Sequence, residues 1–173
     1  MIIWINRELA LAIHERQLAE HRGTEGIRDE SLLAATLERP QQLASLSRSR
    51  GEPTRSRAMA RVAANARVVS TRAGARSGAG VRVEKLADLA ASLAYGIARN
   101  HPFGDDNKRT AHVCCRVFLA LNGVELNASA QDKYVAMLSL AEGSITEPEF
   151  ADWLRQHIAA PTDAVNEPKA AYR

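Results

Sequence analysis

Long hydrophobic runs are missing from this chain of 173 residues. None approaches the roughly 18 to 20 apolar residues that a membrane-spanning helix needs, and Met1 to Ile5 is far too short for the apolar core of a signal peptide. Cysteine is scarce, and the two present, Cys114 and Cys115, are adjacent. That spacing suits neither an ordinary structural disulfide nor a zinc site, so reduced thiols on a helix, in a cytoplasmic protein, are the expectation. Runs of β-branched residues are few and no internal repeat emerges, which leaves helical periodicity as the dominant local signal.

Acid, lysine and aromatic side chains are nearly absent from one stretch. Between Arg48 and Arg82 there are nine Arg, no Lys and a single acid, Glu52, giving that stretch a charge of +8 in a chain whose total is +3. The remaining 138 residues carry 14 basic and 19 acidic side chains, a net −5. Nine arginines can hold phosphates non-specifically, but without aromatics they lack the stacking groups of a single-strand reader. Nucleic-acid binding is therefore not expected of the core, and weak non-specific contact by residues 48–82 is the most this charge implies. Residues 47–81 offer almost no large apolar side chain beyond Val and Met59, so a mobile insertion is expected there, with a helix possible over Arg57 to Val69.

With 46% hydrophobic and 25% charged residues, the rest reads as one globular, all-α domain over residues 1–160, interrupted by that insertion and followed by a frayed tail, 161–173. Met1 to Ile5 suits a short strand. Asn6 can cap a helix through about His21, with Leu9, Ile13 and Leu18 inward and Gly23 as its stop. Asp29 can cap a second, short helix that ends near Pro40. A third, from about Glu84 to Arg99, puts Leu86, Leu89, Leu93 and Ile97 on one stripe. A fourth, from about Asn107 to Asn122, turns Val113, Val117, Phe118 and Leu121 inward and stops at Gly123. Ser129 caps a fifth to Glu142, and Thr146 with Glu149 has capping-box spacing for a sixth through Trp153 and Ile158. His14 and His21 read as solvated or capping residues, His112 as a packed histidine, Tyr95 as core, and Trp4 and Trp153 as closing the ends of the core. Arg28 and Asp29 read as an N-cap and its neighbour.

One segment concentrates chemistry. His101-Pro102-Phe103-Gly104-Asp105-Asp106-Asn107-Lys108-Arg109 packs an imidazole, two carboxylates, an amide and two cations where a loop enters a helix. Helix N-termini present unpaired N–H groups and positive potential, and so bind phosphate. Arg109 can fork onto phosphate oxygens, Lys108 can add a point charge, and a carboxylate beside them suits a Mg²⁺ shared with the phosphates. A neutral imidazole at His101 can accept the proton of an attacking hydroxyl. Phe103 is the apolar peg that anchors the loop. The same residues also suit a plain helix-capping loop with a solvated charge cluster, in which His101 bonds a carbonyl.

His101 to Thr110, followed by Phe118-Leu119-Ala120-Leu121-Asn122-Gly123, resembles the Fic/Doc family. That family's signature is His, any residue, Phe, any residue, Asp or Glu, Gly or Ala, Asn, Gly or Lys, then Arg. The Lys108-Arg109-Thr110 ending is similar to the death-on-curing (Doc) toxins of type II toxin–antitoxin systems rather than to the AMP-transferring branch, which usually has Gly where Lys108 stands. The resemblance runs from Leu89 to Asn100 before the loop and on to Ile158 after it. His14-Glu15-Arg16-Gln17 and Gly26-Ile27-Arg28-Asp29-Glu30 also look like the N-terminal part of such chains, whereas the basic segment has no counterpart.

The resemblance implies a bundle of about six helices and an ATP- and Mg²⁺-dependent protein kinase. Its implied roles are His101 as general base, Asp105 as the Mg²⁺ residue, and Asn107, Lys108 and Arg109 as nucleotide and phosphate contacts. The implied target is elongation factor Tu or a similar translation protein, with AMP transfer to a protein hydroxyl as the alternative. Neither Glu25-Gly26 nor Glu142-Gly143 fits the family's in-chain inhibitory motif, so inhibition is expected in trans, from an antitoxin of the prevent-host-death type. Asp106 departs from the signature, standing beside the phosphate site where the family has Gly or Ala. Its carboxylate turns to solvent, shares Mg²⁺ with Asp105, or weakens nucleotide binding because like charges repel at close range, the last leaving a catalytically impaired binding module.

Overall fold

The computed structural model describes residues 1–49 and 78–159. Most of the basic segment, with the expected Arg57 to Val69 helix, and the tail lie outside the described residues. Six helices run in chain order: α1 (Arg7–His21), α2 (Glu30–Ser49), α3 (Gly78–Asn100), α4 (Asn107–Leu121), α5 (Ala130–Glu142) and α6 (Glu147–His157). Two-residue strands, β1 (Glu125–Leu126) and β2 (Ile158–Ala159), pair antiparallel with Leu126 opposite Ile158. The all-α class and the number of helices match the sequence reading.

Helix α3 is the centre of the bundle, packing against α2, α4, α5 and α6. Its leucine stripe is buried as expected, and Ala87, Ala90, Ala91, Ala94 and Ala98 are buried as well. Small residues on the flanks let neighbouring helices approach from several sides, and a helix apolar around much of its circumference belongs inside. Across from it, α4 buries Ala111, Cys114, Cys115, Phe118 and Leu119, the i, i+3, i+4, i+7, i+8 pattern of one face. The inward set expected for this helix is thereby corrected. Phe118 is buried, Val113 and Val117 are half-buried, and Leu121 is exposed, because the core stripe runs through Cys114, Cys115 and Leu119.

Local caps form where the side chains predict them. Asn6 accepts from the Leu9 N–H, Ser129 from the Asp132 N–H, and Thr146 with Glu149 closes a reciprocal capping box. Gly143 ends α5 at φ +84 and Gly123 follows α4 at φ +72, backbone angles at which a Cβ is strained. Asp29 caps α2 through the Ser31 and Leu32 N–H groups.

Other expectations fail for tertiary reasons. Met1 to Ile5 is not a strand. Its backbone pairs instead with one side chain, the Ile3 N–H donating to Asn122 Oδ1 and Asn122 Nδ2 donating to the Ile3 carbonyl. Helix α2 does not stop at Pro40 but continues to Ser49. Pro40 is buried, and the Gln41 side-chain amide donates to the Leu37 carbonyl while Arg39 ties the same turn to Glu147 at 2.6 Å. Helix α1 does end at His21 as expected, but its C-cap is Arg22, at φ +58, one residue before Gly23.

Cys114 and Cys115 are free and fully buried, and burial pushes both thiols up to about 12. Neither is expected to react with a disulfide reagent at pH 8 in the native protein, and both should react once guanidinium unfolds it. Rapid labelling of the folded chain would contradict this packing.

Candidate active site

The turn between α3 and α4 is held from both sides. On one side, Asn107 at the start of α4 folds its amide back over the loop. The Phe103 N–H donates to Asn107 Oδ1 at 3.0 Å, and Asn107 Nδ2 donates to the Phe103 carbonyl at 3.0 Å. On the other, the segment between α1 and α2 lies antiparallel to the loop. The N–H groups of Arg28 and Asp29 donate to the Pro102 carbonyl and that of Gly104 to the Gly26 carbonyl, with Ile27 and Phe103 forming a single bridge. Gly26 sits at φ +103, which glycine alone adopts freely. Gly23 backs onto the loop so closely that a Cβ there would stand 3.1 Å from Asp105 Oδ2.

Phe103 is fully buried and stacks on the ring of His14, the centroids 4.2 Å apart and the planes 16° from parallel. His14 also hydrogen-bonds through Nδ1 to Thr110 Oγ1 at 3.2 Å. It is 2% exposed, so the solvated role expected for it is corrected: α1 lends this histidine to the loop and to α4. Its partners lie 89 and 96 positions away in the chain, a separation that local spacing does not register. Burial holds the His14 pKa below the ordinary histidine value, against the pull of Asp106, Glu15 and Asp105.

With the loop so fixed, His101, Asp105, Asp106, Asn107, Lys108 and Arg109 all line one cavity of about 650 Å³. The volume lies within the usual range for small-molecule sites. His101 takes φ +49 and is exposed to the cavity mouth, and its ring has no hydrogen-bond partner among the described residues. Lys108 and Arg109 project from the first turn of α4 and are exposed. Asp106 is the N-cap of α4 in the left-handed region, φ +53 and ψ +23, and makes no side-chain cap. Its Oδ1 pairs with Arg109 Nη1, while the side chain is only 8% exposed. The expectation that this carboxylate could turn to solvent is thus not met. Asp105 accepts from the Asp106 N–H at 2.7 Å.

The opposite wall was not singled out in the sequence. It comes from Tyr134, Met137 and Leu138 of α5, while His112 lines the cavity one turn further along α4 and Arg28 completes the lining, its guanidinium donating to the Asn100 carbonyl at 3.1 Å. The signal was periodic: His112 follows Lys108 and Arg109 by four and three positions, and Tyr134, Met137 and Leu138 are spaced by three and four. Burial, with Arg116 and Lys133 nearby, keeps the His112 pKa below its ordinary value. Trp4 and Trp153 stack on Phe118 and Phe150 and do not line the cavity.

The sequence profile of the Fic/DOC family matches residues 4–119, which includes the loop and most of α4. Over 44 residues the sequence is 50% identical to a protein named Toxin Doc from Mycolicibacterium smegmatis. That match spans 25% of this chain and 34% of the relative, so about a third of the relative's length is covered.

Asn107→Ala leaves two buried backbone groups of Phe103 unpaired, and a loss of roughly 2–4 kcal/mol in urea denaturation is expected. The pH dependence has a definite sign. His14 and His112 bind protons less readily folded than unfolded, so stability rises with pH and declines as pH falls below the ordinary imidazole value of about 6.5. Between pH 7.5 and 5.5 the urea midpoint should drop, and less steeply in His14→Gln. Equal slopes in the two proteins would refute the assignment to His14.

Proposed function

The chain belongs to the Fic/DOC family, and from that premise we propose that it is the toxin of a toxin–antitoxin pair. It transfers the terminal phosphate of ATP to a hydroxyl of a translation protein resembling elongation factor Tu, and so arrests growth in the cytoplasm. The observation that carries this reading is the gathering of His101, Asp105, Lys108 and Arg109 around a single cavity at the start of α4. No helix among the described residues is long and apolar enough to cross a membrane.

In this mechanism the first-turn N–H groups of α4, with Lys108 and Arg109, hold the phosphates by charge and by the positive end of the helix. The target hydroxyl meets the terminal phosphorus beneath His101. As the new O–P bond forms, the hydroxyl proton passes to the imidazole, and the bond from that phosphorus to the bridging oxygen breaks to leave ADP. Asn107 acts through its grip on Phe103, which sets the height of His101 over the cavity. His112, Tyr134, Met137 and Leu138 complete the lining and reduce access of water.

The carboxylates fit a Mg²⁺ ion. Asp105 and Asp106 are hard oxygen donors, Asp106 Oδ2 is buried without a hydrogen-bond partner, and Mg²⁺ is commonly held by one or two carboxylates plus substrate phosphates and water. When bound, the ion neutralises charge on the transferring phosphoryl group. Inhibition comes in trans, from an antitoxin of the prevent-host-death type. The Asp106–Arg109 pair favours a second reading, a binding module whose site no longer turns over.

Expressed without an antitoxin, the wild type should arrest growth and His101→Ala should not, at equal protein level. Mass spectrometry of the modified target should show one added phosphate. An added AMP would replace kinase with nucleotidyl transfer, and arrest by His101→Ala would remove His101 from the chemistry.

A further inference from the structure

Arg109 is the side chain best placed to clamp a substrate phosphate, and it already holds an anion. Asp106 Oδ1 is paired with it. The other oxygen of the same carboxylate, Oδ2, is buried and has no partner, although the side chain lines the cavity and is only 8% exposed. The residue is also kept in the left-handed region, φ +53, a conformation that Asp tolerates better than most side chains but that still costs free energy. A half-satisfied carboxylate at the N-terminus of a 15-residue helix thus occupies the place where an incoming anion would bind.

We propose that Asp106 is a specificity-determining residue: it fills the anion seat at Arg109, so that binding a phosphate there is an exchange, and the exchange favours phosphates that bring a divalent cation. The inference rests on the reading of the cavity as a nucleotide-phosphate site. A bare phosphate that takes Arg109 leaves the Asp106 carboxylate buried, unpaired and beside a like charge, which is costly. A phosphate that carries Mg²⁺ supplies a new partner for the displaced carboxylate, next to Asp105. The orphaned Oδ2 is the atom already available for that partner. A Gly or Ala at this position would give Arg109 to either form of the ligand.

Titration calorimetry of the whole chain with ADP, in Mg²⁺ and separately in EDTA, tests this with Asp106→Asn and Asp106→Gly. Both replacements accept a left-handed backbone, and Asn keeps the size of the side chain while removing its charge. In EDTA both variants should bind ADP about tenfold tighter than the wild type, and the gain on adding Mg²⁺ should be about tenfold larger in the wild type. Equal metal-free affinity of the wild type and Asp106→Asn overturns the proposal. So does tightening confined to Asp106→Gly, which would make size or backbone strain the cause. Absence of ADP binding by all three proteins in both buffers removes the nucleotide reading itself, and this inference with it.

Discussion

Two hydrogen bonds from one side chain hold the site in shape. The Asn107 amide takes up both backbone groups of Phe103, which as a buried loop residue has no helix or sheet neighbour to satisfy them. An amide is suited to this because it donates and accepts at once; a carboxylate or an ammonium could serve only one of the two groups. Once Phe103 is pinned, its ring lies on His14, and the chain on either side has little choice. Pro102 and Gly104 meet the strand-like segment before α2, His101 is left at the mouth of the cavity, and Asp105 and Asp106 are left against the first turn of α4.

The charges around that turn are of two kinds. Lys108 and Arg109 are exposed, and Arg109 pairs with only one carboxylate oxygen. Solvated cations of this sort contribute little to stability. Asp106 is the opposite case, a carboxylate with most of its surface covered and one oxygen without a partner. Natural proteins rarely leave a buried polar atom unsatisfied unless something else completes it. The arrangement puts stability and binding in opposition within three residues, since the pair that neutralises Asp106 is the one a phosphate would have to break.

Local chemistry was legible because its partners are neighbours in the chain. Asn6, Ser129 and the Thr146–Glu149 box each act within a few residues, and side-chain type and spacing suffice to place them. The loop from His101 to Arg109 was legible for the same reason, being contiguous. Pro40, His14 and the N-terminal segment were misplaced because each is governed by a distant contact. Pro40 stays within α2 where Arg39 reaches Glu147, and the first residues pair with Asn122, more than a hundred positions away. The far wall of the cavity was missed although its spacing was helical, because nothing in the spacing of α5 says which element its face meets.

The sequence by itself determined the family, through its likeness to other chains, and six helices, most of their caps and the place of the charged loop, which follow from forces that act over a few residues. The tertiary structure decided which side of that loop faces in. It brought His14 from α1 beneath Phe103, set α5 across from Lys108 and Arg109, and directed Asp106 onto Arg109 rather than into solvent. The reason is burial. Whether a histidine or a carboxylate is solvated, paired or left half-satisfied depends on the helices packed over it, and those come from parts of the chain that local spacing does not connect.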